Sequence, residues 1–160
     1  MEALLLSVHV LAGIVFVGGS AVAASLFPRY APVTAAVSVS PATANGPVPD
    51  EQGERSRSVA VALHRITRVY GILGVIVPVV GITLAVVQGR MGEVWISVAM
   101  VLTALAGALL AFLIHPGQRD ALAEPDDGTR LRSLGMLAGV YNLLWAVVVV
   151  LMIVRPGAYR

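Results

Sequence analysis

The side chains best suited to chemistry in this sequence are its three histidines, His9, His64 and His115. Imidazole is a good ligand for copper, and two histidines that face each other from different helices are the simplest axial pair for haem iron. Cysteine is absent, which excludes disulfides, thiolate metal sites and cysteine nucleophiles. The three histidines are therefore the candidate metal ligands.

These histidines lie within or beside four apolar runs that contain no Asp, Glu, Lys or Arg, in a chain that is 58% hydrophobic. Each run has about 20 residues or more, which is enough for a helix to cross a hydrocarbon core of about 30 Å. The sequence therefore predicts an all-α polytopic membrane protein, a four-transmembrane-helix antiparallel bundle that forms a single domain over residues 1–160. The predicted spans are approximately residues 3–27, 69–88, 94–114 and 134–154.

The arginines predict how the spans are oriented. All 11 basic residues are arginine, and three of them (Arg90, Arg155 and Arg160) fall on the side that holds both termini. The positive-inside rule places the other side in the cytoplasm, so both termini are expected outside a bacterial cytoplasmic (inner) membrane. The net charge of +2 then reflects topology and anionic lipid rather than nucleic acid, which is not an expected partner. The eight arginines on the cytoplasmic side are Arg29, Arg55, Arg57, Arg65, Arg68, Arg119, Arg130 and Arg132.

This topology separates the histidines. His9 falls in the second turn of span 1 near the outer boundary, whereas His64 and His115 fall at the cytoplasmic edge. A His64–His115 pair is geometrically feasible, and His9 would need a different second ligand, such as the Met152 thioether for Cu(I). The alternative is that all three are ordinary hydrogen-bonded or solvated histidines. In that case the predicted partners of His9 are Ser7, Thr83 and Gln88.

Small residues and one proline predict how the spans pack. Pro78 cannot donate to the carbonyl of Gly74, so a kink is expected near the middle of span 2. An amide within a span must find a hydrogen bond, so Asn142 is expected to join two helices. Small residues at four-residue spacing let helices approach closely, so inter-helix seams are predicted along span 3 and span 4, with dimerisation left open. The residues of these seams are Thr103, Gly107 and Ala111, and Gly135 and Gly139.

The segments between spans carry weaker signals. Residues 31–58 predict an irregular cytoplasmic loop, and its role is not indicated. Residues 51–68 could form a helical lead-in to span 2. The run Glu124-Pro125-Asp126-Asp127 is expected to be a solvated turn rather than a cation site.

Three segments resemble copper-resistance protein D (CopD) and related uncharacterised four-helix integral-membrane proteins. The run from Ser7 to Gly19 resembles their first helix, with His9 followed by an apolar turn and paired glycines, and Phe16 standing where a tryptophan often falls. Residues 63–88 resemble their second helix, and residues 141–157 resemble their last helix with its basic-Pro-Gly stop. The resemblance implies a helical bundle that handles copper or haem. His9 is the residue of this chain that corresponds to the histidine of that family.

The chain also resembles, in type, the small accessory membrane proteins of actinobacterial respiratory supercomplexes. It has no GxSxG, P-loop or HExxH motif and no carboxylate pair in a span, so an enzyme is not expected. The leading prediction is a non-catalytic accessory or scaffold subunit without a cofactor, which packs against other integral membrane subunits such as a respiratory oxidase supercomplex. The alternative is a CopD-like protein that handles haem or copper through His9 or His64/His115. Small-solute transport is disfavoured by the charge-free spans.

Overall fold

A computed structural model describes residues 2–34 and 56–157 of the chain, and these residues form helices and no strand. Most of the predicted loop 31–58 therefore lies outside the described residues, as does Tyr159. The four long helices are Glu2–Tyr30, Arg57–Val87, Val94–Ala123 and Thr129–Val154, and each is long and apolar enough to cross a membrane. The predicted all-helical class and the number of membrane-length helices are confirmed.

The first long helix contains a widened turn. It consists of α1 (Glu2–Ala12), a π-helical turn (Gly13–Val17) and α2 (Gly18–Tyr30). The helix ends where Ala31 becomes extended, with its N–H still donating to the carbonyl of Phe27. The residue before a proline is biased towards extended backbone, so Pro32 accounts for this stop.

The second long helix is broken at the kink that Pro78 predicts. Its two parts are α3 (Arg57–Leu73) and α4 (Ile76–Val87). Because Pro78 has no N–H, the carbonyl of Gly74 accepts instead from the Val77 N–H, at 3.1 Å. The helical lead-in also exists, since α3 begins at Arg57, well before the apolar run.

The third long helix contains a widened turn, as the first one does, and the fourth is continuous. The third consists of α5 (Val94–Leu109), a π-helical turn (Leu110–Ile114) and α6 (His115–Ala123). Pro116 cannot donate to the carbonyl of Phe112, which accounts for the widened turn before it. The fourth helix, α7 (Thr129–Val154), begins where Asp126 accepts the N–H of Gly128 and of Arg130, and Asp127 accepts that of Thr129. The acidic run therefore caps a helix.

Two clusters of buried side chains hold the long helices together. In one, Phe27 of α2 and Leu63 of α3 pack with Leu122 of α6 and Leu134 of α7. In the other, small residues of α2 and α7, Ala24 and Ala138, meet the third long helix. Helix α2 packs on α3 and α7, α5 packs on α7, and α1 packs on α4.

The seams differ from the predicted ones. Gly107, Ala111, Gly135 and Gly139 are exposed, and a Cβ on any of the three glycines would meet nothing within 4 Å. Thr103 is half-buried. The third long helix instead buries a neighbouring face, whose members are Ala99, Ala106, Leu110 and Ile114. Span 3 is rich in small residues all round, so residue size alone does not select the buried face.

Close helix contacts occur at other glycines. A Cβ on Gly19 would overlap the Tyr70 ring, and one on Gly71 would lie 2.8 Å from a Leu110 methyl group. Asn142, by contrast, forms the inter-helix hydrogen bond expected of it, since its Nδ2 donates to the Ser25 hydroxyl at 2.9 Å.

Candidate functional site

His9 is buried at the junction of α1 and α4. Its Nδ1–H donates to the backbone carbonyl of Val77 at 3.0 Å, so Nε2 is the nitrogen with a free lone pair in the neutral ring. The ring fits because residue 81 is glycine. A Cβ added at this position would lie 2.8 Å from the His9 Cε1. Of the predicted partners, Ser7 and Thr83 bond instead to carbonyls of their own helices, and the acceptor for His9 is the backbone carbonyl beside Pro78.

A cavity of about 130 Å³ opens beside His9, between the α1–α4 pair and the α5–α7 pair. Its lining is mainly apolar, and at one end, which we call its mouth, it is bounded by Gln88 and Arg90 of the turn between α4 and α5 and by Arg155 at the end of α7. We call the whole cavity the turn-end cavity. Met152, the second ligand proposed for His9, lines it as well. Its other polar, aromatic and sulfur-containing walls are Gln88, Arg90, Trp95, Met100, Thr103, Trp145 and Arg155.

A smaller cavity of about 80 Å³ lies next to the turn-end cavity, and both are lined by Pro78, Thr103 and Trp145. At its wall the Ser20 and Tyr141 hydroxyls are 2.8 Å apart, and Ser20 also donates to the carbonyl of Val17 at 2.9 Å. That carbonyl belongs to the π-helical turn of the first long helix. The widened turn thus supplies an acceptor for a buried polar group.

The other two histidines meet at the opposite end of the long helices. The His64 and His115 rings are 4.6 Å apart between centroids, with 25° between their planes. His64 Nδ1–H donates to the buried Gln118 side-chain oxygen at 3.2 Å, and Gln118 Nε2 donates to Thr67 at 3.4 Å. His115 Nε2 is buried with no hydrogen-bond partner among the described residues.

The His64–His115 arrangement does not fit axial haem ligation. Axial imidazoles coordinate from opposite faces of the iron at metal–nitrogen distances of about 2 Å, which puts their ring centres about 6 Å apart on one line. The observed ring centres are only 4.6 Å apart, and the rings are stacked face to face. The separation of the two rings is compatible with a smaller metal ion that is bound on one side by one nitrogen of His64 and one nitrogen of His115. Within residues 2–34 and 56–157, no three His, Cys, Asp or Glu side chains cluster closely enough to hold a metal ion.

The structure therefore brings His64 and His115 together and keeps His9 apart from them, as the sequence predicts. It also adds polar residues that sequence reasoning did not assign, namely Ser20, Thr67 and Gln118. A signal for Ser20 was available, because the Tyr141 hydroxyl lies within a span and needs a partner. Thr67 and Gln118 lie on helical segments beyond the apolar runs. Polar residues are common in such segments, so their presence there does not indicate a buried hydrogen bond.

Comparison of the chain with protein-family models, with characterised proteins and with solved structures found no match.

Proposed function

We propose that this protein is a non-catalytic accessory subunit that packs against a larger integral membrane complex, with a respiratory oxidase assembly as the first partner to test. In this proposal the four helices cross a bacterial inner membrane in alternating directions, with both termini outside. The observation that carries the proposal is the outward placement of small residues. Ala111 on the third long helix, and Gly135 and Gly139 on the fourth, are exposed, whereas Gly107 lines the smaller cavity between the helices.

Exposed small residues matter because of how membrane helices associate. Lipid is as apolar as a leucine side chain, so association depends on close packing, and small residues at four-residue spacing allow backbones to approach. The chain does not use the face of Gly135 and Gly139 for its own packing, because an added Cβ at either glycine would meet nothing within 4 Å. This face is available to helices of another protein or of a second copy of this chain.

The test is purification of the tagged full chain from native membranes in mild detergent, followed by identification of co-migrating chains. Gly139→Leu places a bulky side chain on the small-residue face and should release the partner. Ala62→Leu is the control, since Ala62 is exposed on the second long helix and away from the small-residue face, and it should retain the partner. Purification of the wild-type protein alone, from membranes that contain an assembled oxidase, would contradict the proposed partner.

A second candidate function is copper handling, which the close approach of His64 and His115 supports. Copper would be bound there by imidazole nitrogens, with Gln118 orienting the His64 ring. The same purification tests it by a copper assay and a visible spectrum. Stoichiometric copper lost in His115→Ala but kept in His9→Ala would favour this function. Copper lost only in His9→Ala would place the metal at the turn-end cavity instead.

A further inference from the structure

We propose that the turn-end cavity binds one anionic phospholipid, whose headgroup phosphate lies against Arg155 and one of whose acyl chains enters the apolar interior. This inference is independent of the partner complex and of the direction in which the protein is inserted. It rests on the shape of the cavity, on the charges at its mouth and on the backbone conformation of Arg155.

The interior suits a hydrocarbon chain. Leu6, Ile82, Ile96 and Met100 contribute apolar walls, and the volume of about 130 Å³ has room for on the order of ten water-sized groups. The mouth lies at the ends of α4 and α7, so the headgroup of an amphiphile would lie there, beyond the apolar interior. A soluble anion would leave these apolar walls without a partner.

Among the residues that the structure describes, the mouth carries a net positive charge. Arg90 is paired with Glu93, its Nε donating to the carboxylate at 2.5 Å, and its guanidinium lies over the Trp95 ring. Arg155 is the second guanidinium at the mouth. Since one carboxylate faces two guanidinium groups, the mouth favours a negatively charged headgroup.

The backbone holds Arg155 in this place at an energetic cost. Arg155 ends α7 with φ of 45°, and no other non-glycine residue of the described ranges has a positive φ. Glycine is the usual residue at this position of a helix end, and Gly157 is only two residues further on. In the observed conformation the Arg155 Nε–H donates to the carbonyl of Met152, which also lines the cavity. A strained residue that carries a charge to a cavity mouth points to a role in binding.

The experiment uses the only two tryptophans of the protein, Trp95 and Trp145, because both line the cavity. The full chain is placed in zwitterionic phosphatidylcholine bilayers, and phosphatidylglycerol with brominated acyl chains is titrated in. Bromine quenches only nearby indoles. Saturable quenching is expected at a mole fraction about fivefold lower than for brominated phosphatidylcholine, the factor expected from one arginine near a membrane surface.

Arg155→Gly is the decisive variant, because glycine adopts the same backbone conformation without strain and the helix end should be preserved. Its preference for the anionic lipid should disappear, whereas Arg155→Lys should keep most of it. Arg132→Gln, which removes an exposed charge at the start of α7, is the control and should behave like the wild type. Circular dichroism of each variant verifies folding.

Three results would overturn the proposal. The first is equal quenching by brominated phosphatidylcholine and phosphatidylglycerol, which would mean non-specific lipid contact. The second is an unchanged titration for Arg155→Gly. The third is competition by millimolar inorganic phosphate, which would indicate a site for a soluble anion instead of a lipid.

Discussion

At the scale of single residues, Gly18 and Gly19 are neighbours in sequence but differ in what surrounds them. A Cβ on Gly19 would overlap the Tyr70 ring, whereas one on Gly18 would meet nothing within 4 Å. We expect Gly19→Ala to lower the free energy of unfolding by about 1–3 kcal/mol, the usual cost of overpacking. Gly18→Ala should be neutral, or stabilising by about 1 kcal/mol or less, because alanine favours helix. Reversible unfolding in mixed detergent measures both.

A double-mutant cycle tests the cause that we assign to the Gly19 effect. If the Tyr70 ring is the obstacle, Gly19→Ala should cost little in a Tyr70→Ala background. An undiminished cost in that background would show that the strain arises elsewhere. Equal effects of the two glycine variants would contradict the predicted contact itself.

Asp127 gives the start of α7 a dependence on pH. Hydrogen bonds from the side chain and the backbone N–H of Thr129 hold the pKa of the Asp127 carboxyl below its usual range. A carboxyl whose pKa is lowered by folding stabilises the protein above its unfolded pKa, and that contribution is lost as pH falls through the folded value.

The difference in unfolding free energy between the wild type and Asp127→Asn should therefore be constant above about pH 5 and should shrink below about pH 4. Asparagine is the matched variant, because it keeps an accepting oxygen and cannot titrate in this range. A difference that stays constant down to pH 2.5 would show that the carboxylate is not stabilised by folding.

The residue scale also shows where sequence reasoning stops. An imidazole within a span needs a hydrogen-bond partner, and residue types point only to polar side chains such as Ser7 and Thr83. The true partner is the carbonyl of Val77, a backbone atom that every residue possesses and that no residue type reveals. The contact depends on Gly81 leaving room for the ring, which is a property of the packed pair of helices.

At the scale of elements, Pro78 separates α3 from α4. Pro78→Ala should restore a hydrogen bond to the carbonyl of Gly74 and straighten the second long helix. Spin labels on cysteines at positions 68 and 88, both exposed, report the change, since the chain has no native cysteine. The distance should increase towards the value of about 30 Å for 20 residues of straight helix. An identical distance in both proteins would show that the kink does not depend on the proline.

The elements were predictable to different degrees. The four long helices follow from apolar runs without charge, and the kink follows from Pro78. The π-helical turn before His115 was not predicted, although Pro116 explains it once the turn is seen. The buried face of the third long helix was misassigned because Thr103, Gly107 and Ala111 alternate with other small residues. Helical register alone leaves such a choice open.

At the scale of the whole molecule, the arginine distribution predicts the direction of insertion. A cysteine placed at Gly92, in the turn between α4 and α5, should react with a membrane-impermeant maleimide added to intact cells or spheroplasts. A cysteine placed at Arg119, in α6, should react only after permeabilisation. Both positions are exposed, so accessibility to solvent does not distinguish them. The reverse pattern would show that the termini are cytoplasmic.

Composition and the four apolar runs were sufficient to predict four helices that are long and apolar enough to cross a membrane. Composition does not predict the cavities. The turn-end cavity arises because α1 pairs with α4 while α5 pairs with α7, and residues from all four long helices then line the space between the pairs. Pairing of this kind is decided by contacts between distant parts of the chain.

The second and third long helices extend beyond their apolar runs on the same side of the molecule. Residues 57–68 of α3 and 115–123 of α6 add about 18 Å and about 13 Å of helix at 1.5 Å per residue. In a bilayer whose hydrocarbon covers the apolar runs, these segments form a raised, arginine-bearing platform on one side, whereas the short turn at residues 88–93 is nearly flush on the other. A large neighbour would therefore meet the platform, with the His64–His115 pair at its base, before it reached the surrounding headgroups.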